Sequence, residues 1–178
     1  MVPFKIKGGV MDESQCIFCK IGKGEIPSKK VYEDENTLAF LDINPRNPGH
    51  TLVIPKKHIP TILDASEKDI MEIAKTLRKI AEGVKNAMNC DGISIVQNNG
   101  IAAGQVVPHI HFHVIPRFKQ EGPVSLEAVL QVKKMDENTM NAVMEKIKNG
   151  IAQEGNENKS EESNSREVER KEEISFDF

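Results

Sequence analysis

The run Pro108-His109-Ile110-His111-Phe112-His113-Val114-Ile115-Pro116-Arg117 constrains this chain more than any other stretch. It holds three of the chain's five histidines, at alternating positions, with bulky apolar residues between them. Successive side chains of an extended strand point to opposite faces, so His109, His111 and His113 share one face and Ile110, Phe112 and Val114 the other. The pattern predicts a strand with a core on one side and chemistry on the other. Two chemistries are open to such a face. Two imidazoles could converge on a metal ion with a further ligand from elsewhere, or one could act as a nucleophile while its second ring nitrogen is held by a fixed acceptor.

The residues before this run bear on the choice. Asn98-Asn99-Gly100-Ile101-Ala102-Ala103-Gly104-Gln105 is a polar, small-residue loop joining the apolar segment Ile93-Ser94-Ile95-Val96 to the histidine run. Glycines let a backbone approach a ligand closely and turn its amides toward an anion. Placed directly before three co-facial histidines, the loop favours a phosphate-bearing substrate over a simple hairpin connection. A second cluster of chemical interest is Cys16-Ile17-Phe18-Cys19, in a chain whose only other cysteine is Cys90. Such a pair is a redox couple, half of a zinc site, or two unrelated buried thiols. No strand-then-helix pattern with a flanking proline supports the redox reading. Cys90, beside the turn signal Asp91-Gly92, reads as structural.

Around these motifs the periodicity predicts an α+β domain. Ile70, Ile73, Ala74, Leu77, Ile80, Ala81, Val84 and Met88 recur at three- and four-residue steps, and Ser66 with Asp69 has the form of a capping box. Strands are expected at Lys30–Glu33, Thr37–Asp42, Thr51–Ile54, Ile93–Asn98 and His109–Ile115, making an antiparallel five-stranded sheet with one main packing helix. Met140, Val143, Met144, Ile147 and Ile151 predict a C-terminal helix.

The stretch Gly104-Gln105-x-x-x-His109-x-His111-x-His113-x-x-Pro116-Arg117 resembles the histidine triad family. So do Leu38-Ala39-Phe40-Leu41-Asp42-Ile43-Asn44-Pro45 and Pro48-Gly49-His50-Thr51-Leu52-Val53-Ile54-Pro55-Lys56-Lys57-His58-Ile59 upstream. The likeness covers about residues 15–118, and several spaced motifs occur in the right order. It implies that His111 attacks the α-phosphorus of a purine nucleotide and forms a transient nucleotidyl-histidine, which water then cleaves. It implies that His113 and His50 serve the phosphate, that Gln105 and Asn98 hydrogen-bond it or its leaving group, and that Asp42 accepts the ribose hydroxyls. Ile43 and Phe18 become candidates for apolar contact with the base.

A structural zinc held by Cys16, Cys19, His58 and His109 follows from the same likeness, with no catalytic cofactor beside it. That assignment places all five histidines. The resemblance also implies two copies paired into a homodimer with joined sheets. Val106 departs from the family pattern, which often has Ser or Thr there. A histidine at position 113, where transferases of the superfamily have Gln, favours hydrolysis. The Asp42-Ile43-x-Pro45 and Pro55-Lys56-Lys57-His58-Ile59 segments look more like the nucleoside phosphoramidase branch than the dinucleoside polyphosphate hydrolase branch. The expected reaction is therefore P–N cleavage of an adenosine phosphoramidate-type substrate to AMP. The alternatives are a dinucleoside polyphosphate hydrolase and a non-catalytic nucleotide-binding interaction protein.

The remaining sequence organises into an N-terminal extension (1–14), the nucleotide-binding domain (15–118), a helical extension (119–152) and an acidic tail (153–178). No stretch approaches the ~20 apolar residues needed to span a membrane, and the opening residues lack the apolar centre of a signal peptide, so a cytoplasmic location is expected. Met11 is an alternative start to Met1. The net charge of −3 makes no case for nucleic-acid binding, and Lys56, Lys57 and Arg117 read as solvated charges before they read as substrate contacts. The tail holds nine acidic and four basic residues, a composition that buries too little apolar surface to offset the entropy of ordering it. Its end, Ile174-Ser175-Phe176-Asp177-Phe178, alternates like a strand and is a candidate for docking on a sheet edge or groove.

Overall fold

Five strands form one sheet in the order β1-β2-β3-β5-β4: β1 (Lys30–Glu33), β2 (Thr37–Leu41), β3 (Thr51–Pro55), β4 (Gly92–Val96) and β5 (Phe112–Arg117). Every neighbouring pair is antiparallel. The histidine strand thus lies inside the sheet between β3 and β4, and β4 forms an outer edge. The structure, a computed structural model, describes residues 13–122 and 134–151, which fall in two separate units.

Both faces of the central strands are covered, and the alternation of side chains sorts the core into two layers. Leu38 and Phe40 of β2 and Leu52 and Ile54 of β3 pack with Phe18, Cys19 and Ile21 of the short helix α1 (Ile17–Gly22). Ala39, Val53 and Val114 point the other way and pack against Ile80, Leu77 and Val84 of the long helix α2 (Glu67–Met88). A third cluster joins Ile110 to Ile59 and Ile73. Burying side chains of this size contributes roughly 1.5–3 kcal/mol each. The seam that holds α2 to the sheet follows the expected stripe except at Ala74, which is exposed: Ile73 and Ile80 are buried in it, and so is Thr76, which the apolar pattern did not include.

The ends of α2 follow the sequence signals. The Ser66 hydroxyl accepts from the Asp69 N–H, and the Asp69 carboxylate accepts in return from the Ser66 N–H at 3.1 Å. At the far end Asn89 takes a left-handed conformation, φ 47°, which closes the helix.

Six of the ten predicted strand ends move. β2 ends at Leu41, β3 runs on to Pro55, β4 starts at Gly92 and β5 runs on to Arg117. β5 begins at Phe112 and not at His109, because the chain ahead of it has left the β3 ladder: the Ile110 N–H donates to the Ile59 carbonyl at 2.6 Å and the His109 N–H to Val107 at 2.8 Å. β4 ends at Val96, short of Asn98. The alternation survives the shift. Ile110 and Val114 are fully buried in the core, while His109 and His111 lie together against the ring of Phe18.

In the second unit residues 137–151 form a helix, α3, and Met140, Val143, Met144, Ile147 and Ile151 are exposed along it. Among the described residues no helix is long and apolar enough to cross a membrane. The segment 1–12 with both candidate starts, and the acidic tail with Ile174–Phe178, lie outside the described residues.

Candidate active site and metal cluster

The two ends of the site are carried by turns that the sheet fixes in place. One runs from Asp42 to His50, between β2 and β3. It is tied to the histidine strand by the Asn47 side chain, which donates to the Pro116 carbonyl at 2.7 Å. Gly49 leads it into β3 with φ +88°, and a Cβ there would lie 2.6 Å from the Met88 side chain, so only glycine fits the turn against the end of α2. The other turn is the loop 97–105. Asn99 accepts from the Ile62 N–H (2.8 Å), and Gln105 accepts from the Gly100 N–H and donates to the Pro60 carbonyl, both at 2.7 Å.

Hydrogen-bond partners that can only donate or only accept fix the state of each imidazole in the neutral form. The His111 Nδ1 lies 2.7 Å from the His109 carbonyl. A carbonyl accepts only, so Nδ1 carries the proton and Nε2 keeps its lone pair. His50 is set the opposite way. Its Nδ1 faces the Arg46 N–H at 3.2 Å, which only donates, so Nε2 carries the proton and donates to His113 Nδ1 at 2.9 Å. His113 must then bear its own proton on Nε2. The cluster thus holds one bare nitrogen, on His111, beside one N–H donor, on His113, with the two rings 5.1 Å apart.

Electrostatics agrees with this reading. Burial, followed by the neighbouring His111 and His50, pushes His113 down to about 4. Burial also lowers His50, against the attraction of Asp42. The Asp42 carboxylate stands 3.6 Å from His50 and 3.8 Å from His113. These are not ion pairs near pH 7, because desolvation outweighs the carboxylate and both rings are neutral.

The second cluster lies next to the first. Cys16, Cys19, His58 and His109 bring two sulfurs and two ring nitrogens within 4.8 Å of one another. His109 Nε2 donates to the Pro55 carbonyl at 2.9 Å, which leaves the lone pair on Nδ1, facing Cys16 and Cys19, each at 3.5 Å. His58 Nδ1 faces Cys19 at 3.3 Å. A tetrahedral zinc with arms of about 2.3 Å to sulfur and about 2.0–2.1 Å to nitrogen sets S and N about 3.5–3.6 Å apart. The three observed edges therefore match a closed tetrahedral site. Burial, then the hydrogen bond and charge of Cys16, push the Cys19 thiol up to about 12. A cation is what would bring such a thiol to the thiolate form. His58 Nε2 is buried and has no hydrogen-bond partner among the described residues.

Other predicted residues fall at different depths. Ile43 is 89% exposed at the mouth of the Asp42 turn, whereas Phe18 is buried, its ring 5.2 Å from His111 and 5.8 Å from His109. Phe18 lies behind the His111 ring. Gln105 is buried with both ends of its amide engaged in bracing the loop. Asn98, oriented to suit its neighbours, donates to the carbonyls of Ala103 (3.3 Å) and Gln97 (3.2 Å). The loop glycines do not present free amides: Gly100, Gly104 and Gln105 N–H groups all bond within the loop.

Sequence reading missed Arg46, Asn47 and the Pro55 carbonyl. Asn47 and Arg46 lie in a Pro-Arg-Asn-Pro-Gly turn whose composition signals only a turn, and nothing in a single sequence marks one carbonyl as the partner of a distant ring.

The fold and site define an α+β protein that carries an imidazole cluster and a two-cysteine, two-histidine cluster on one antiparallel sheet. The chain belongs to the HIT domain family, whose model matches residues 23–120. It is 54% identical over 109 residues to an uncharacterised HIT-like protein of Methanocaldococcus jannaschii, covering 61% of this chain and 84% of that one. Over 148 residues it is 39% identical to an adenosine 5'-monophosphoramidase of Candida albicans, covering 81% and 96%. A zinc-bound histidine triad family protein from Mycobacterium smegmatis superposes with a TM-score of 0.60 at 40% identity, covering 65% of this chain and 83% of that one.

Proposed function

We propose that this protein hydrolyses the P–N bond of purine nucleoside phosphoramidates, with His111 as the nucleophile. The observation that carries the reading is the 2.7 Å contact of His111 Nδ1 with the His109 carbonyl, which leaves Nε2 free to attack. In this account the Nε2–P bond forms as the bond from phosphorus to the amine breaks, and the amine departs with a proton taken from solvent, which the later hydrolysis returns. Water then adds to phosphorus, releasing AMP and restoring the imidazole. His113 Nε2–H, oriented by His50, donates to a phosphate oxygen. Asp42 and Asn98 face the ribose and phosphate, and Ile43 offers the base an apolar surface. Phe18 and Gln105 act from behind, the first under the His111 ring and the second as the brace of the loop.

Cys16, Cys19, His58 and His109 are the residues that would hold zinc, which supplies folding stability and no open coordination position. The reading includes a homodimer joined at the β4 edge, where Ile95 and Val96 are exposed. Similarity to proteins named as adenosine monophosphoramidases supports the P–N choice. The test is turnover of adenosine phosphoramidate by the wild type and His111→Asn, with the intermediate trapped by acid quench and weighed. AMP release and an adduct on His111 in the wild type alone are expected. Retained turnover in His111→Asn removes the nucleophile from this account.

A further inference from the structure

The imidazole cluster lacks a charge that its proposed substrate needs. His50 and His113 are held neutral, and the nearest fixed charge is the Asp42 carboxylate, 3.6 and 3.8 Å away. A zinc bound by two thiolates adds no net charge. A nucleotide phosphate entering here would meet one good donor and a like charge, which is a poor anion site.

The cations singled out in the sequence do not fill the gap. Lys56 is paired with Glu33 at 2.8 Å, Lys57 with Asp69 at 3.0 Å and Arg117 with Glu121 at 3.0 Å. Arg46 differs from all three. Its backbone N–H bonds the His50 ring, its side chain is exposed, and it has no carboxylate partner among the described residues. Its charge reaches the cluster, acting against protonation of both His50 and His113.

We propose that Arg46 supplies the positive charge that binds the substrate's phosphate, its guanidinium closing over the anion from the Asp42–His50 turn. The proposal rests on the nucleotide reading above and deepens it. The planar fork of a guanidinium matches phosphate oxygens, and an unpaired arginine has no competing partner to leave. Placement on the turn that also carries Asp42 lets one element read both the ribose and the phosphate. It also offsets the repulsion that Asp42 would otherwise exert.

The test uses the full chain and two probes, AMP and adenosine, titrated calorimetrically into wild type, Arg46→Ala and Arg46→Lys at low and moderate salt. Every variant keeps the backbone N–H that orients His50. Arg46→Ala should weaken AMP about tenfold while adenosine, which has no phosphate, binds as before. Arg46→Lys should recover part of the loss, and the salt dependence of AMP binding should flatten in Arg46→Ala. Unchanged AMP affinity overturns the proposal, and so does an equal loss for AMP and adenosine, which would mark a role in the shape of the turn. A wild type that binds AMP through Arg46 yet turns over no phosphoramidate would sink the catalytic reading and leave this one standing. Normal turnover with no Arg46 effect would do the reverse.

Discussion

His50 connects two hydrogen bonds of opposite sense, and substitutions that keep one while cutting the other test the relay directly. In His50→Asn the amide oxygen falls near the position of Nδ1, so the Arg46 N–H keeps an acceptor while His113 Nδ1 loses its donor. In His50→Gln the amide nitrogen falls near Nε2, so the 2.9 Å bond to His113 is retained and the 3.2 Å bond from Arg46 is lost. A buried polar atom left unpaired costs about 1–3 kcal/mol. For His113 that cost is relieved by moving its proton from Nε2 to Nδ1, which removes the donor proposed to serve the phosphate. Spread over the transition state, a loss of this size is roughly tenfold to a hundredfold in kcat. His50→Asn should therefore lose kcat by that factor with little change in thermal stability. His50→Gln should keep most of its kcat and lose about 1 kcal/mol of stability, several degrees in Tm for a domain of this size. Steady-state kinetics on adenosine phosphoramidate and thermal unfolding read both quantities. Equal kcat in the two variants would refute the relay.

Three further outcomes follow from the same geometry. Elemental analysis should find about one zinc per chain, and rebinding to stripped protein should release protons, since the Cys19 thiol at about 12 must ionise; calorimetry in buffers of different ionisation heat measures this, and proton-neutral binding counts against a thiolate site. Gln105→Ala, which orphans the Gly100 N–H and the Pro60 carbonyl, should destabilise by about 2–4 kcal/mol in urea unfolding; an unchanged midpoint would mean the loop does not depend on that brace. The native state keeps His113 and His50 neutral while the unfolded chain binds protons below the ordinary histidine value of about 6.5. Their contribution to stability is complete above that pH and declines as pH falls below it, for His113 down to about 4 and for His50 in the same direction; equal unfolding free energies at pH 7 and pH 5 would contradict the neutral assignment.

What the sequence disclosed and what it withheld divide along physical lines. Side-chain periodicity carries information about faces, so the strand alternation at 109–114 and most of the stripe on α2 were legible from the residues alone, while the buried Thr76 was not, because its place in the seam depends on a hydroxyl bond to Thr37. The helix caps were legible too, because a capping box is a local bond between Ser66 and Asp69. The start of β5 was not, because it depends on where the partner strand ends and on a carbonyl at Ile59, fifty-one positions away in sequence from the Ile110 amide it receives. Gln105 shows the same limit. Its residue type permits bonds to a phosphate or to the backbone, and only the fold reveals that Gly100 and Pro60 occupy its amide. The clustered cysteines and histidines are separated by up to ninety-three positions, so their meeting is a property of the sheet and α1 together.

His109 explains why the two clusters lie side by side. Its side chain reaches into the sulfur cluster through Nδ1 and is steadied through Nε2 by Pro55, while its own carbonyl holds the proton of His111. A shift of the imidazole would turn the peptide that follows it, and the carbonyl would leave the line of His111 Nδ1. Holding the ring at both nitrogens therefore also holds the tautomer of His111, the proposed nucleophile. Phe18 completes the arrangement by packing edge-on against both rings from the helix that begins between the two cysteines. Zinc bound there would need no contact with substrate to affect turnover, because the rigidity it would give His109 passes through a single peptide unit to His111, the proposed nucleophile.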